Sequence, residues 1–197
     1  MAQQRQAVIE LPKIAVEQFQ LTLIGDSPLI CHKWSEKAKK QMLDKHMGVP
    51  KTGKKENKDP QRDYKESLYE YPGGGYGFPT VAFKSAAVDA CSTIEGVTKV
   101  QARGAFHING DLLKIEGKPS IREDMDRVFQ GKPDIRYRGE FKEWRTSFVV
   151  RYRTDVLNKE QIINLFNIGG FAVGVGEWRP QKDGSFGMFH VGNKGDK

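Results

Sequence analysis

A glycine-dense segment between Asn164 and Val191 restricts the folding of this chain more than any other part of its sequence. Because glycine permits backbone conformations and close approaches that other residues do not, the segment predicts a helix end, a tight turn region, an arginine-bearing loop and a final strand. Gly169 is placed to end the helix as its left-handed cap. The segment could equally let the backbone at Gly169 and Gly170 approach a phosphate, and the sequence leaves both interpretations open.

Several classes of function do not fit the sequence. The glycine segment has neither the Lys-Ser/Thr ending of a nucleotide P-loop nor the preceding strand of a dinucleotide fingerprint, so nucleotide hydrolysis is not expected. Cys31 and Cys91 stand far apart, with no second cysteine or histidine at metal-ligand spacing, so no disulfide framework, metal or cofactor is expected. The sequence has no apolar run long enough to cross a membrane and no signal peptide, which predicts a soluble, cytoplasmic protein.

Positive charge is concentrated in one part of the chain. The whole chain has a formal net charge of +7, and residues 31–65 alone hold eleven basic and five acidic side chains, a net charge of +6. Such a concentration fits a surface that displaces counterions from a phosphate backbone. A solvated loop without a partner is the alternative.

Local patterns predict most of the secondary structure. Residues 17–24 alternate apolar and polar side chains, as a half-buried strand does. Ser35 could cap a short basic helix. The apolar residues from Phe83 to Ile94 recur at helical spacing and should pack on a sheet, and Asn158 could cap a further helix from Lys159 to Ile168.

The middle of the chain predicts strands. Phe106–Ile115 has the pattern of a β-hairpin with an Asn109-Gly110 turn, and two further strands are expected over Ile135–Phe141 and Ser147–Val156. Four arginines alternate along these last two strands: Arg136, Arg138, Arg151 and Arg153. They would form one arginine face if the strands are neighbours, whereas ordinary solvated strand faces are the alternative.

Residues 48–77 are poor in apolar side chains and rich in proline and glycine, which predicts a mobile basic insertion or projecting finger. Its tyrosines could stack on unpaired bases or pack the finger onto the body. The rest of residues 1–197 is expected to form a single domain. The order of its elements predicts an α+β fold of the ferredoxin-like type, with a βαββαβ core and helices on one face of an antiparallel sheet.

The sequence resembles the RAMP proteins, and within them the Cas7-like subunits that line CRISPR RNA. The stretches that carry the resemblance are Thr22–Ile30, Phe78–Val88 and the glycine-rich residues from Gly169 to Phe189. In the second stretch, Pro79 and Lys84 match the proline and lysine of the family's helix start. The resemblance implies the same ferredoxin-like, RRM/RAMP-type fold.

The chain after Tyr76 also resembles small proteins of bacteriophage and prophage genomes. The shared stretches include Ala102–His107 and Gly174–Pro180. This likeness implies a phage origin, and therefore the cytoplasm of a bacterial host, but it brings no established activity.

Charge and resemblance together predict a protein that binds single-stranded RNA or DNA without catalysis. The RAMP resemblance implies assembly side by side along the strand, as a homo-oligomer or helical filament in which a finger of one copy covers the next. It also implies that a glycine loop and a helix-start lysine hold phosphates. The residues expected to contact the strand are Lys37, Lys39, Lys40, Lys54, Lys55, Lys84, Arg103, Arg136, Arg138, Arg151, Arg153, Gly169, Gly170 and Arg179.

Two other functions remain open. Some RAMP relatives cut RNA with a histidine or an aspartate. The candidates for such an endonuclease are His32, His46, His107, His190 and Asp26, none of which stands in a matching motif. A Cas7-like decoy or interaction module would instead bind a protein through exposed tryptophans. The candidates there are Trp34, Trp144 and Trp178.

Overall fold

The computed structural model describes residues 13–50, 57–127 and 133–192, which form a mixed α/β fold with antiparallel sheets. The strands are β1 (Val16–Gly25), β2 (Leu29–Cys31), β3 (Tyr69–Glu70), β4 (Tyr76–Pro79), β5 (Phe106–Ile108), β6 (Leu112–Ile115), β7 (Pro119–Arg127), β8 (Pro133–Phe141), β9 (Arg145–Arg153) and β10 (Phe189–Val191). The helices are α1 (Glu36–His46), α2 (Pro60–Ser67), α3 (Thr80–Ala90), α4 (Lys99–Ala105) and α5 (Lys159–Ala172), with a 3-10 turn over Pro180–Lys182.

Four strands form the sheet on which the rest of the structure is built. Their order is β10-β1-β9-β5, and each neighbouring pair is antiparallel. In the chain, α3 lies between β1 and β5, and α5 connects β9 to β10. Both helices pack on one face of this sheet, and aromatic rings fill the space between them.

The alternation along β1 decides which face of the sheet is buried. Leu21 and Leu23 are buried, as is Phe148 on the neighbouring strand β9. Ring centroids of Phe83 from α3 and Phe166 from α5 lie 6.4 and 5.8 Å from that of Phe148. The predicted strand over residues 17–24 is therefore confirmed, and its apolar side chains belong to the main core.

Helix α5 does not end at Gly169. It continues to Ala172, and Gly169 and Gly170 are both helical and buried. A Cβ at Gly169 would lie 2.6 Å from the carbonyl oxygen of Ala86 in α3, and a Cβ at Gly170 would overlap the carbonyl oxygen of Phe189 in β10. The predicted left-handed cap is wrong because both glycines serve close packing, and protein atoms fill the space where a phosphate was expected.

Two smaller antiparallel sheets, β2-β8-β7 and β3-β4-β6, flank the main sheet. The predicted hairpin over Phe106–Ile115 is wrong, since β5 pairs with β9 and β6 pairs with β4. Gly110 has a φ of +89°, as an Asn-Gly bend requires, but the chain passes there from one sheet into another.

Much of the predicted insertion over residues 48–77 is part of the folded body. It contains α2, β3 and the start of β4. Leu68 is buried and packs against Gly139, where any Cβ would overlap its side chain. The hydroxyl of Tyr64 donates to the carbonyl oxygen of Pro119 (3.3 Å). The few apolar groups of this segment are therefore sufficient to attach it to β7 and β8.

Two predicted helix starts are confirmed by their caps. The hydroxyl oxygen of Ser35 accepts a hydrogen bond from the backbone N–H of Ala38 (3.2 Å) at the start of α1. Asn158 and Gln161 form a capping box at the start of α5. Within the described ranges, no helix has the length and apolar character needed to span a membrane, and no three potential ligands cluster as a metal site.

Candidate nucleic-acid interface

Basic residues from separate elements meet at the β5 edge of the main sheet. Nζ of Lys84, on α3, donates to the carbonyl oxygen of Arg103 and to Nδ1 of His107, both at 3.1 Å. It also lies 5.8 Å from the ring centroid of Phe106. Arg151 on β9 is the register partner of His107 on β5. We call Lys84, Arg103, His107 and Arg151 the basic cluster.

The three cations of the basic cluster form no ion pair within the described residues, although the charge of Arg103 helps to lower the pKa of Asp89. No carboxylate of the described residues forms an ion pair with Lys84, Arg103 or Arg151. Other arginines of β9 differ in this respect. Nε of Arg145 lies 3.1 Å from Glu116, and Nη2 of Arg153 lies 2.5 Å from Asp155. The charge of the cluster is therefore available to an external anion.

The ionisation of the cluster follows from its surroundings. Partial burial lowers the pKa of Lys84 below its usual value. Burial, and then the positive charges of Lys84 and Arg151, lower the pKa of His107. The imidazole is therefore neutral at neutral pH and accepts the hydrogen bond from Lys84 at Nδ1.

The loop that follows α5 is held firmly against the turn before β2. The backbone N–H of Val175 donates to Gly187 (2.9 Å), that of Gly187 to Pro28 (2.8 Å), and that of Glu177 to Ile30 (3.1 Å). Gly187 has a φ of +64°, and a Cβ there would overlap the carbonyl oxygen of Val175. The glycines of this loop thus bring backbone close to backbone of the same chain.

Arg179 begins a series of side-chain hydrogen bonds that leads from this loop to α3. Its Nε and Nη2 donate to Oε1 of Gln181 at 3.3 and 3.1 Å, and its Nη1 donates to the carbonyl oxygen of Gly176 (3.0 Å). Gln181 donates to Asp89 (3.2 Å), which also accepts from Lys99 (2.7 Å). The hydrogen bond from Lys99 holds the pKa of Asp89 below its usual value.

A cavity of about 340 Å³ lies between α3 and this loop, and we call it the α3–loop cavity. Its walls include Tyr69, Phe78, Val81, Ser85, Asp89 and Glu177. Its volume is within the range of about 300–1,000 Å³ for small-ligand sites. Val81 of this lining precedes Lys84 by three residues on α3, so the cavity opens beside Lys84 of the basic cluster.

A second cavity, of about 780 Å³, lies between α1, α2 and β8, and we call it the α1 groove. No residue of α1 is buried. The predicted contacts Lys37, Lys39 and Lys40 are exposed on this helix, and Lys39 pairs with Glu36 (2.6 Å). Lys54 and Lys55 lie outside the described residues.

His32 and Glu177 line both cavities. Nδ1 of His32 lies 3.0 Å from Oε1 of Glu177, and Nη1 of Arg136 lies 3.5 Å from Nε2 of His32. The hydrogen bond from His32 lowers the pKa of Glu177, so this carboxyl group is ionised. The neighbouring Cys31 is buried, which raises its pKa to about 12 and makes it a poor nucleophile.

The predicted four-arginine face is not formed, because β8 and β9 belong to different sheets. Arg138 is only 2% exposed and donates to Asp124 (3.1 Å) and Asp126 (3.0 Å). Nε of Arg136 lies 3.6 Å from Asp126 and 3.8 Å from Asp134. Arg138 thus neutralises carboxylates between β7 and β8, as a buried charge must, and the partly exposed Arg136 pairs with carboxylates of the same two strands.

The remaining candidate residues are dispersed. His190 pairs with Asp26 (2.6 Å), and His46 is exposed at the end of α1. Trp144 is buried, whereas Trp34 and Trp178 are 56% and 39% exposed. Trp178 has a φ of +54°, a conformation that non-glycine residues rarely adopt.

Sequence reasoning selected Lys84, Arg103 and Arg151 without showing that they meet. It missed His107 as the neighbour that Lys84 and Arg151 share, and Glu177 as a wall of the α3–loop cavity. The alternation of β9 was the only local signal for Arg151, because the register that places it beside His107 depends on β5, more than 40 residues earlier.

Neither a protein-family model nor a curated protein matches this chain. Among solved structures, its fold is similar to a chain of the Type III-B Cmr-beta complex bound to cognate target RNA, with a TM-score of 0.53 and 11% identity. That alignment covers 90% of this chain and 59% of the other, so this chain spans about three fifths of that protein's length. Cmr6 from Pyrococcus furiosus aligns with a TM-score of 0.43 and 9% identity, over 91% of this chain and 100% of Cmr6.

Proposed function

We propose that this chain is a RAMP-type, Cas7-like protein that binds single-stranded nucleic acid and does not cleave it. The basic cluster is the observation that carries the proposal. Lys84 and Arg151 come from α3 and β9 and meet at His107, while Arg103 on α4 accepts from Lys84 through its carbonyl oxygen. None of the three cations forms an ion pair with a carboxylate of the described residues. A phosphate backbone offers the regularly spaced anions that such a cluster lacks within its own chain.

The topology supports a ferredoxin-like core for this protein. Counted along the chain, β1, β5, β9 and β10 are the first to fourth strands of the main sheet, and they lie in the order 4-1-3-2. Helices α3 and α5 follow the first and third of these strands. This is the βαββαβ arrangement that we infer for the core, with the two smaller sheets as additions to it.

The bound nucleic-acid strand would lie along the open face of the main sheet, which is the face that α3 and α5 do not cover. This face carries polar side chains, among which the hydroxyls of Thr22 and Ser147 are hydrogen-bonded across β1 and β9 (2.8 Å). Arg151 lies on the same face of β9 as Ser147. The likeness of the fold to a chain of an RNA-bound complex makes RNA the first strand to test, with DNA as the second.

The histidines support binding rather than cleavage. Nδ1 of His107 accepts from Lys84, Nδ1 of His190 is bound to Asp26, and Nδ1 of His32 is bound to Glu177. Each imidazole is thus oriented by its own neighbour, in a different part of the structure. General acid–base cleavage of RNA would need such groups to converge on one phosphate.

The exposed helix α1 supports side-by-side assembly along the strand. Leu43 and Met47 are 58% and 68% exposed on or next to it, and Trp34 precedes it. Exposed apolar side chains of this kind mark contact surfaces, and we propose a second copy of this chain as the partner. The resemblance to bacteriophage proteins leads us to propose a phage origin and the host cytoplasm as its location.

The test compares two arginines on the same face of β9. Arg151→Ala should weaken binding to a labelled oligouridine about tenfold, as expected for one charge-assisted contact. Arg145→Ala is the matched control, because Glu116 already neutralises Arg145 and little affinity should be lost. Fluorescence anisotropy at one salt concentration measures both. Equal affinities of the wild type and Arg151→Ala would overturn the proposed path.

A protein-interaction module is the second candidate, and the exposure of Trp34 and Trp178 favours it. This function would leave the folded wild type without affinity for RNA or DNA oligomers. The same anisotropy experiment therefore separates the two candidates.

A further inference from the structure

The α3–loop cavity has the position of a side pocket to the basic cluster. Val81, Ser85 and Asp89 are spaced four residues apart on α3 and line the cavity on one side. Lys84 of the basic cluster follows Val81 by three residues, the spacing at which side chains on a helix are neighbours. A strand whose phosphates contact Lys84 would therefore pass the mouth of the cavity.

The cavity combines aromatic walls with two ionised carboxylates, Asp89 and Glu177. Both oxygens of Asp89 already accept, one from Lys99 and the other from Gln181. Tyr69 and Phe78 form an edge-to-face pair with ring centroids 5.6 Å apart, and both line the cavity. Glu177 lies on the wall contributed by the loop, and its Oε1 accepts from His32. Its Oε2 accepts no hydrogen bond from any residue that the structure describes. A ligand with N–H donors would satisfy this carboxylate.

We propose that this cavity holds one base of the bound strand, turned out of the stack, and that it prefers guanine. The inference rests on the proposed function, because the strand brings the base to the cavity. Guanine is the base whose Watson–Crick edge presents two adjacent N–H donors, at N1 and N2, which match the two oxygens of the Glu177 carboxylate. Bases turned out of a single strand are commonly read on this edge while they stack on aromatic side chains.

The other bases fit the carboxylate less well. Uracil presents carbonyl oxygens on both sides of its single N–H, and these would face the negative charge of Glu177. Adenine and cytosine each present one amino group beside a ring nitrogen that accepts hydrogen bonds. The pocket should therefore reject uracil most strongly, since a carbonyl oxygen brought against the Glu177 carboxylate loses its own solvation without gaining a donor.

The surroundings of Glu177 fix it in the required state. Its backbone N–H is bound to Ile30, and its side chain to His32. The raised pKa of Tyr69, caused first by burial and then by Cys31 and Glu177, agrees with a hydroxyl within electrostatic reach of that carboxylate. The hydroxyl and the ring of Tyr69 thus lie at the same end of the cavity as the Glu177 carboxylate.

The test uses oligouridines that carry a single central guanosine, adenosine, cytidine or uridine, since one guanosine cannot form a quadruplex. The wild type should bind the guanosine oligomer about tenfold more tightly than the all-uridine oligomer. Glu177→Gln should reduce this ratio to about one, because the amide has only one acceptor oxygen. Ser85→Trp, which fills the cavity from an exposed position of α3, should do the same.

Glu160→Gln, an exposed carboxylate in the first turn of α5, is the matched control and should keep the wild-type ratio. Tight binding of all four oligomers without preference would overturn the guanine pocket and leave the proposed function intact. A preference for guanosine that survives both Glu177→Gln and Ser85→Trp would also overturn it. Absence of binding to any oligomer would overturn the proposed function itself.

Discussion

Nζ of Lys84 lies 3.1 Å from Nδ1 of His107, so a lysine on α3 donates a hydrogen bond to a histidine on β5. A charged lysine can only donate, and the neutral imidazole therefore carries its proton on Nε2. This contact joins a helix to the edge strand of the main sheet and gives the basic cluster a titratable member.

Strand binding should tighten as the pH falls from about 8 to about 5.5, through the usual His pKa of about 6.5. In the free protein, burial and the charges of Lys84 and Arg151 lower the pKa of His107. A bound phosphate would favour the imidazolium, so binding takes up a proton. His107→Gln should remove this part of the pH dependence, measured by anisotropy at several pH values.

His46→Gln is the control, because His46 is exposed at the end of α1. The folding stability of the free protein should change in the opposite sense and decrease as the pH falls. A lowered folded-state pKa means that the unfolded chain binds the proton more readily, so the stability contributed above the usual pKa is lost as the pH falls through the folded-state pKa. Identical pH profiles of binding for the wild type and His107→Gln would contradict the prediction.

Gly170→Ala should destabilise the protein by about 2 kcal/mol, since overpacking a core costs about 1–3 kcal/mol. The added methyl group would overlap the carbonyl oxygen of Phe189. Gly104→Ala is the matched control within α4, because no atom lies within 4 Å of a Cβ there. That change should be neutral or stabilise by up to about 1 kcal/mol. Urea denaturation measures both, and equal effects would show that α5 and β10 do not meet at Gly170.

Arg138→Ala should cost about 2–3 kcal/mol, because it removes the buried partner of Asp124 and Asp126 and leaves them only Arg122 and Arg136. Arg153→Ala should leave stability almost unchanged, since its pair with Asp155 is largely solvated. Thermal and urea unfolding compare the two. An Arg138→Ala protein that is as stable as the wild type but binds RNA more weakly would show that Arg138 contacts the strand.

Arg103→Ala should make binding less dependent on salt. Each lost contact to a phosphate lowers the slope of log affinity against log salt by about 0.7 on single strands. Arg103 is exposed on α4 and has no ion pair among the described residues, so its removal should leave stability almost unchanged. Lys142→Ala, an exposed lysine in the turn between β8 and β9, is the control. An unchanged slope for Arg103→Ala would exclude a phosphate contact at this position.

Local signals in the sequence were enough for elements whose ends are fixed by neighbouring residues. Ser35 and Asn158 cap their helices through hydrogen bonds to residues three positions away, and the alternation along β1 decides its buried face. The Asn109-Gly110 bend led to the wrong prediction of a hairpin because it, too, is only a local signal. A bend fixes the direction of the chain only locally, whereas β9 and β4 decide where the strands on either side of it pair.

The candidate site depended even more on distant parts of the chain. The individual cations of the site can be named from the sequence. The sequence does not show which of them are neutralised by a carboxylate. Arg138 and Arg151 look alike in their strands, yet one faces the carboxylates of β7 and the other faces a histidine. Only the assignment of β8 and β9 to separate sheets distinguishes the structural arginine from the available one.

The loop after α5 is tied to the turn before β2 by backbone hydrogen bonds at Val175, Glu177 and Gly187. Folding has therefore already removed the freedom of the segment that carries Arg179 and Glu177. A ligand arriving at this surface does not have to order the protein, and the main entropic cost of association falls on the ligand itself. Its dissociation rate should then respond to substitutions far more than its association rate does.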